Sequence, residues 1–121
     1  MNHAEHNLQR AVLEWLELVH FEASSVTVHT PNGRNAGSAR LAGIWKALGV
    51  KAGVPDLLTF WPGVDNTPGL ALELKAPGKK PKPSAEQKVW LDHFAGLGWR
   101  TACLNDLNEI IALYTSHLGL R

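Results

Sequence analysis

The chain has 121 residues, with 12 Lys and Arg against 11 Asp and Glu, a formal net charge of +1, and a composition that is 45% hydrophobic and 19% charged. These values suit one folded domain with a real core and exclude a disordered chain or a bulk polycation. No apolar run approaches the about 20 residues of a membrane helix, the N-terminus does not read as a signal peptide, and the single Cys103 excludes an internal disulfide or a cysteine-built zinc site. The expectation is a cytoplasmic protein with no membrane partner.

Residues from about His3 to Glu22 read as an amphipathic helix. Leu8, Val12, Trp15, Leu16 and Val19 recur at helical spacing, with Glu14 and Glu17 largely off that stripe. Glu5 continues the apolar face at its N-terminal end, an unusual place for a glutamate, although the helix dipole also favours an acid in the first turn. Ser25 to Thr30 alternates Val26 and Val28 with Thr27 and His29 and reads as a strand, and Pro31-Asn32-Gly33 marks a turn. Residues 36–49 place Leu41, Ile44, Trp45 and Leu48 at helical spacing and close on Gly49. Two apolar runs follow, DLLTFW from Asp56 and LALELKA, joined through Pro62-Gly63 and Pro68-Gly69; both read as strands. Residues 77–83 are rich in Pro, Gly and Lys and form a predicted loop. Ser84 opens a helix whose apolar side carries Trp90, Leu91, Phe94 and Leu97, and Gly96 and Gly98 end it. Arg100 to Leu104 is a short strand. Asp106, three residues before Glu109, caps a last helix bearing Ile110, Ile111, Leu113, Tyr114 and Leu118. The predicted order is α-β-α-β-β-α-β-α in a single α/β domain spanning residues 1–121.

The second apolar run carries the chemistry. Side chains alternate along a strand, so Glu73 and Lys75 point to one face while Leu72 and Leu74 point to the other. Two charges on one side of an otherwise apolar strand need a reason. A divalent metal held by Asp56 and Glu73, with Lys75 beside it, supplies one. Gln87 has two readings: with Ser84 it forms a capping box, and it also lies at i, i+4, i+7 with Leu91 and Phe94, facing the sheet.

Charge is unevenly spread. Arg34, Arg40, Lys46 and Lys51 form an acid-free segment, and Lys75, Lys79, Lys80, Lys82 and Lys88 face only Glu86. Such patches on a near-neutral protein fit phosphate contacts, although a solvated lysine loop has the same composition. The six histidines show no metal-ligand spacing. Trp15, Trp45 and Trp90 lie on apolar stripes and read as core, Trp61 as the tryptophan of the five that touches substrate or a second subunit, and Cys103 as a buried strand residue without nucleophilic character.

The residues GVPDLL, ELK and Ser84-x-x-Gln87, preceded by a helix with Glu5, resemble the VRR-NUC family of the PD-(D/E)XK nuclease superfamily. The resemblance covers nearly the whole chain. It implies a restriction-endonuclease-like fold, a mixed central sheet flanked by helices with the site at one end. It also implies Mg²⁺ or Mn²⁺ held by Asp56, Glu73, the backbone carbonyl of Leu74 and Glu5, with Lys75 and Gln87 in catalysis. Arg34, Arg40, Lys46, Lys51, Lys79, Lys80 and Lys82 would then meet DNA. The implied activity is a metal-dependent DNA endonuclease of bacterial or phage type, acting on branched, Holliday-junction-like DNA as a homodimer. The alternatives are a nuclease for flap or linear duplex DNA within a larger assembly, or a non-catalytic nucleic-acid-binding module.

Overall fold

The computed structural model describes residues 3–31 and 38–121; Arg34 and the Asn32-Gly33 part of the expected turn lie outside the described residues. The elements run α1 (His3–Val19), α2 (Phe21–Ser25), β1 (Thr27–His29), α3 (Ala39–Ala47), β2 (Leu57–Thr59), β3 (Leu70–Leu74), α4 (Ala85–Gly96), β4 (Arg100–Leu104) and α5 (Leu107–Leu118).

The strands form one sheet in the order β1-β2-β3-β4. β1 and β2, and β2 and β3, pair antiparallel, whereas β3 and β4 pair parallel, with α4 supplying the crossover between them. The sheet is therefore mixed and flanked by helices, as the motif order implies. Every residue of β3 is buried, because both faces of this strand are covered. Leu70, Leu72 and Leu74 pack with Leu8, Val12 and Leu16 of α1 and with Ile110 and Tyr114 of α5 in the main core. The alternate residues, Ala71 and Glu73, face away from that cluster, toward the side of α4.

The first predicted helix is divided. α1 stops at Val19, and His20 turns its ring back so that Nδ1 accepts from the Ala23 N–H at 3.1 Å, capping the five-residue α2. An imidazole acting as an N-cap interrupts what hydrophobic periodicity reads as one continuous helix. α3 begins after Ser38, whose Oγ accepts from the Leu41 N–H at 3.1 Å. No residue of α3 is buried, so its apolar stripe covers the domain only loosely.

Two polar networks lie against the core. Tyr114 Oη shares a 2.7 Å hydrogen bond with Thr59 Oγ1, which in turn meets Thr27 Oγ1 at 2.9 Å. Burial pushes the Tyr114 phenol up to about 12. His117, fully buried at the end of α5, donates from Nε2 to the Trp61 carbonyl at 2.8 Å and accepts at Nδ1 from Arg100 Nε at 3.1 Å. Arg100 also pairs with Asp65 at 2.6 Å, so His117 ties the loop after β2 to β4 and α5.

With both ring nitrogens committed this way, His117 is neutral. Burial is the largest influence and depresses its pKa, outweighing the raising effect of the Trp61 carbonyl. The folded chain then binds fewer protons than the unfolded one below about pH 6.5, and stability falls as pH drops through that window. Denaturant titrations at pH 7.5 and pH 5.5 are expected to show this loss, and His117→Gln is expected to be less stable at pH 7.5 but less sensitive to pH.

Candidate active site

Two strand ends meet at the site. Asp56 immediately precedes β2, and its backbone is held from the end of β1. The Thr30 N–H and His29 Nδ1 both donate to the Asp56 carbonyl at 3.1 Å, and the Thr30 hydroxyl donates to the Pro55 carbonyl. The Asp56 side chain then crosses to β3, where Oδ2 accepts from the Leu74 N–H at 2.8 Å. That bond sets Asp56 beside Glu73, the residue before Leu74.

Glu73 is 3% exposed, and its carboxyl lies in hydrogen-bonding contact with that of Asp56. Its Oε2 is buried with no hydrogen-bond partner. Burial, first, and the adjoining Asp56 carboxyl, second, raise the Glu73 pKa well above the usual carboxylate range; Lys75 draws it down and Glu5 adds to the rise. In the absence of a cation, the pair therefore keeps a proton at neutral pH.

An orphaned buried oxygen beside a second carboxyl is what a hard divalent cation satisfies, and an all-oxygen donor pair suits Mg²⁺ or Mn²⁺ better than softer ions. Glu5, half-buried in the first turn of α1, is near enough for its charge to be felt at Glu73. Among the described residues no three His, Cys, Asp or Glu side chains converge as a ready-made cage.

Lys75 lies just beyond β3, on the face of Glu73, and its Nζ donates to Gln87 Oε1 at 2.7 Å. The same Gln87 oxygen accepts from the Ser84 N–H at 2.7 Å, while the Gln87 N–H donates to Ser84 Oγ at 3.2 Å. The two readings of Gln87 are therefore one geometry: the capping box of α4 is also the tether of Lys75. Gly53 lets α4 come this close. It has φ +86°, and a Cβ there would stand 2.7 Å from the Glu86 carbonyl carbon and 2.9 Å from the Gln87 nitrogen.

Cys103 pairs in register with Glu73 across β3 and β4, so its thiol shares the carboxylate face. Burial pushes that thiol up, in keeping with a structural residue. Sequence spacing does not reveal this neighbour, because the parallel register joins residues thirty positions apart. Thr30 and His29, which seat Asp56, were likewise visible only as part of a strand.

The basic residues divide into two groups. Arg40 and Lys46 are exposed on α3, and Lys51 borders an open depression of about 330 Å³ that is also lined by Thr30, Pro31, Leu48, Val54 and Trp90. Lys79, Lys80 and Lys82 are exposed on the loop between β3 and α4. Arg34 lies outside the described residues. Trp61 is half-buried, packs against the core and meets His20 edge-on at 5.2 Å, and half-buried Trp90 lines the depression instead of joining the core cluster.

The model of the VRR-NUC domain family matches residues 3–105. Among solved structures, one named "VRR_NUC domain protein" superposes with a TM-score of 0.77 at 23% identity, covering 99% of this chain and 92% of that one, a likeness of fold. No curated protein matches the chain.

Because the folded Glu73 carboxyl titrates above its unfolded value, the folded chain holds the extra proton and stability falls as pH rises from about 4.3. Glu73→Gln, which does not titrate and can donate to Asp56, is expected to stabilise the metal-free protein at pH 8 by at least about 1 kcal/mol, roughly 4 °C in Tm. Gly53→Ala is expected to destabilise by about 1–3 kcal/mol in thermal denaturation, through both its left-handed backbone and the contact with α4.

Proposed function

This chain belongs to the VRR-NUC family of the PD-(D/E)XK nuclease superfamily, and from that premise we propose that it is a DNA endonuclease dependent on Mg²⁺ or Mn²⁺. The observation that carries the reading is the buried Asp56–Glu73 pair, with its unpartnered Glu73 oxygen, set beside a lysine whose position is fixed by Gln87. The superfamily generally uses divalent ions. Asp56, Glu73, the Leu74 carbonyl and Glu5 would hold the ion, which when bound would lower the pKa of a water and offset charge on the phosphoryl group.

The chain's own residues prepare that chemistry. Asp56 and Glu73 gather negative charge in a buried place where water cannot screen it. Lys75 brings the compensating positive charge to the same face, where it orients or helps deprotonate the attacking water or neutralises the charge that develops on phosphate. Gln87 takes one of the three donors of the Lys75 ammonium and so limits its motion without neutralising it. The exposed Lys79, Lys80 and Lys82 extend from the same strand end and suit phosphates on either side of the cut.

We assign branched, Holliday-junction-like DNA as the substrate and a homodimer as the working form. A two-fold pair of sites matches a two-fold junction, and a chain of this size has little surface with which to read branched DNA alone. No helix among the described residues is long and apolar enough to cross a membrane.

Labelled four-way junction, flap and linear duplex DNA, incubated with Mg²⁺, Mn²⁺ or EDTA, test the proposal. Wild type is expected to cut with either metal and not with EDTA, to favour the junction, and to lose at least about 100-fold in rate on Lys75→Ala or Glu73→Gln. Preference for flap or linear duplex would overturn the branched substrate alone. Binding without cutting, unchanged by either substitution, would leave a nucleic-acid-binding module.

A further inference from the structure

The loop between β3 and α4 carries Lys79, Lys80 and Lys82, three prolines (Pro77, Pro81 and Pro83) and Gly78 at φ +110°. Proline has no N–H, so this segment has few backbone donors with which to hold itself in one shape. Its support comes from elsewhere in the chain. Asn105 Nδ2 donates to the Ala76 carbonyl at 3.2 Å and to the Lys79 carbonyl at 2.5 Å, bridging both ends of the turn Ala76-Pro77-Gly78-Lys79. A primary amide has two N–H groups, and here both go to the loop.

Asn105 is itself well placed to act as a support. The preceding Leu104 accepts the Lys75 N–H at 3.0 Å, continuing the parallel ladder, and the following Asp106 caps α5 by accepting the Glu109 N–H. The loop is thus held twice. Gln87 grips Lys75 and Ser84 at its ends, and Asn105 grips the turn within it.

We propose that Asn105 is a positioning residue for DNA: its amide clamps the Ala76–Lys79 turn so that Lys79, Lys80 and Lys82 meet the phosphates flanking the cut while Lys75 stays at the site. The proposal rests on the nuclease reading above. An unclamped loop would still carry three cations, but each would lose conformational freedom on binding instead of being arranged beforehand. The loss falls on DNA affinity, not on the number of phosphates met or on the chemical step.

Steady-state cleavage by wild type, Asn105→Ala, the triple Lys79→Ala, Lys80→Ala, Lys82→Ala variant and the combination of all four, at several salt concentrations, tests this. Asn105→Ala is expected to raise KM about 10-fold with kcat within about 2-fold, and to leave the slope of log affinity against log salt within about 0.5 of wild type, whereas the triple variant lowers it by about 2–3. In the triple background the same substitution should add less than about 2-fold, because the clamp acts through those lysines. An unchanged KM, or a full effect of Asn105→Ala in the triple background, would overturn the clamp. So would a joint collapse of kcat, KM and Tm, which would make Asn105 a support of the fold; Asn105→Ser replaces Ala if the latter does not fold. A wild type that neither binds nor cuts DNA overturns the nuclease reading together with the clamp's role, and is distinguishable from a wild type that cuts no differently from Asn105→Ala.

Discussion

Asp56 and Glu73 bring two carboxyl groups into contact in a place where water cannot separate them, and most of the surrounding structure serves to hold them there. Isolated like charges in a buried setting repel, and the pair relieves this by keeping a proton. Structure imposed from several sides keeps the groups together. The end of β1 anchors the Asp56 backbone, the Leu74 N–H takes one Asp56 oxygen, and the leucines of β3 lock Glu73 in place by packing on the opposite face. Backbone hydrogen bonds and apolar burial therefore oppose the electrostatic cost, which a cation would remove.

The second constraint is geometric economy at Gln87. One amide oxygen accepts from the Ser84 N–H and from the Lys75 ammonium, so the start of α4 and the position of Lys75 are a single arrangement. Gly53 belongs to the same arrangement, since its missing Cβ leaves room for the α4 backbone. A local device that begins a helix thus reaches across to a residue of the site. The three elements that contribute, the segment before β2, the end of β3 and the first turn of α4, are far apart in sequence and share one corner of the sheet.

Much of this was readable in the order of residues. The alternation through Leu70–Leu74 places Glu73 and Lys75 on a common face, and the spacing of Ser84 and Gln87 describes a capping box, because strand and helix periodicities are local properties. The helices and strands fell close to their expected positions for the same reason. Where the reading differed, longer-range contacts or a side chain in an unexpected role decided. His20 caps a second helix with its ring, and Trp90 lines a surface depression, although its spacing places it on an apolar stripe.

The sequence by itself determined the element types, the face shared by Glu73 and Lys75, the cap at Ser84 and the family to which the chain belongs, since each rests on spacing within one segment or on motifs in a given order. Only the tertiary structure decided that Glu73 keeps an unpartnered oxygen against Asp56, that Cys103 stands beside it, that Gln87 joins the helix cap to Lys75, and that Asn105 holds the lysine loop. Each of these depends on register and burial between distant segments. Local periodicity carries no record of which strand lies beside which, or of how much water remains between them.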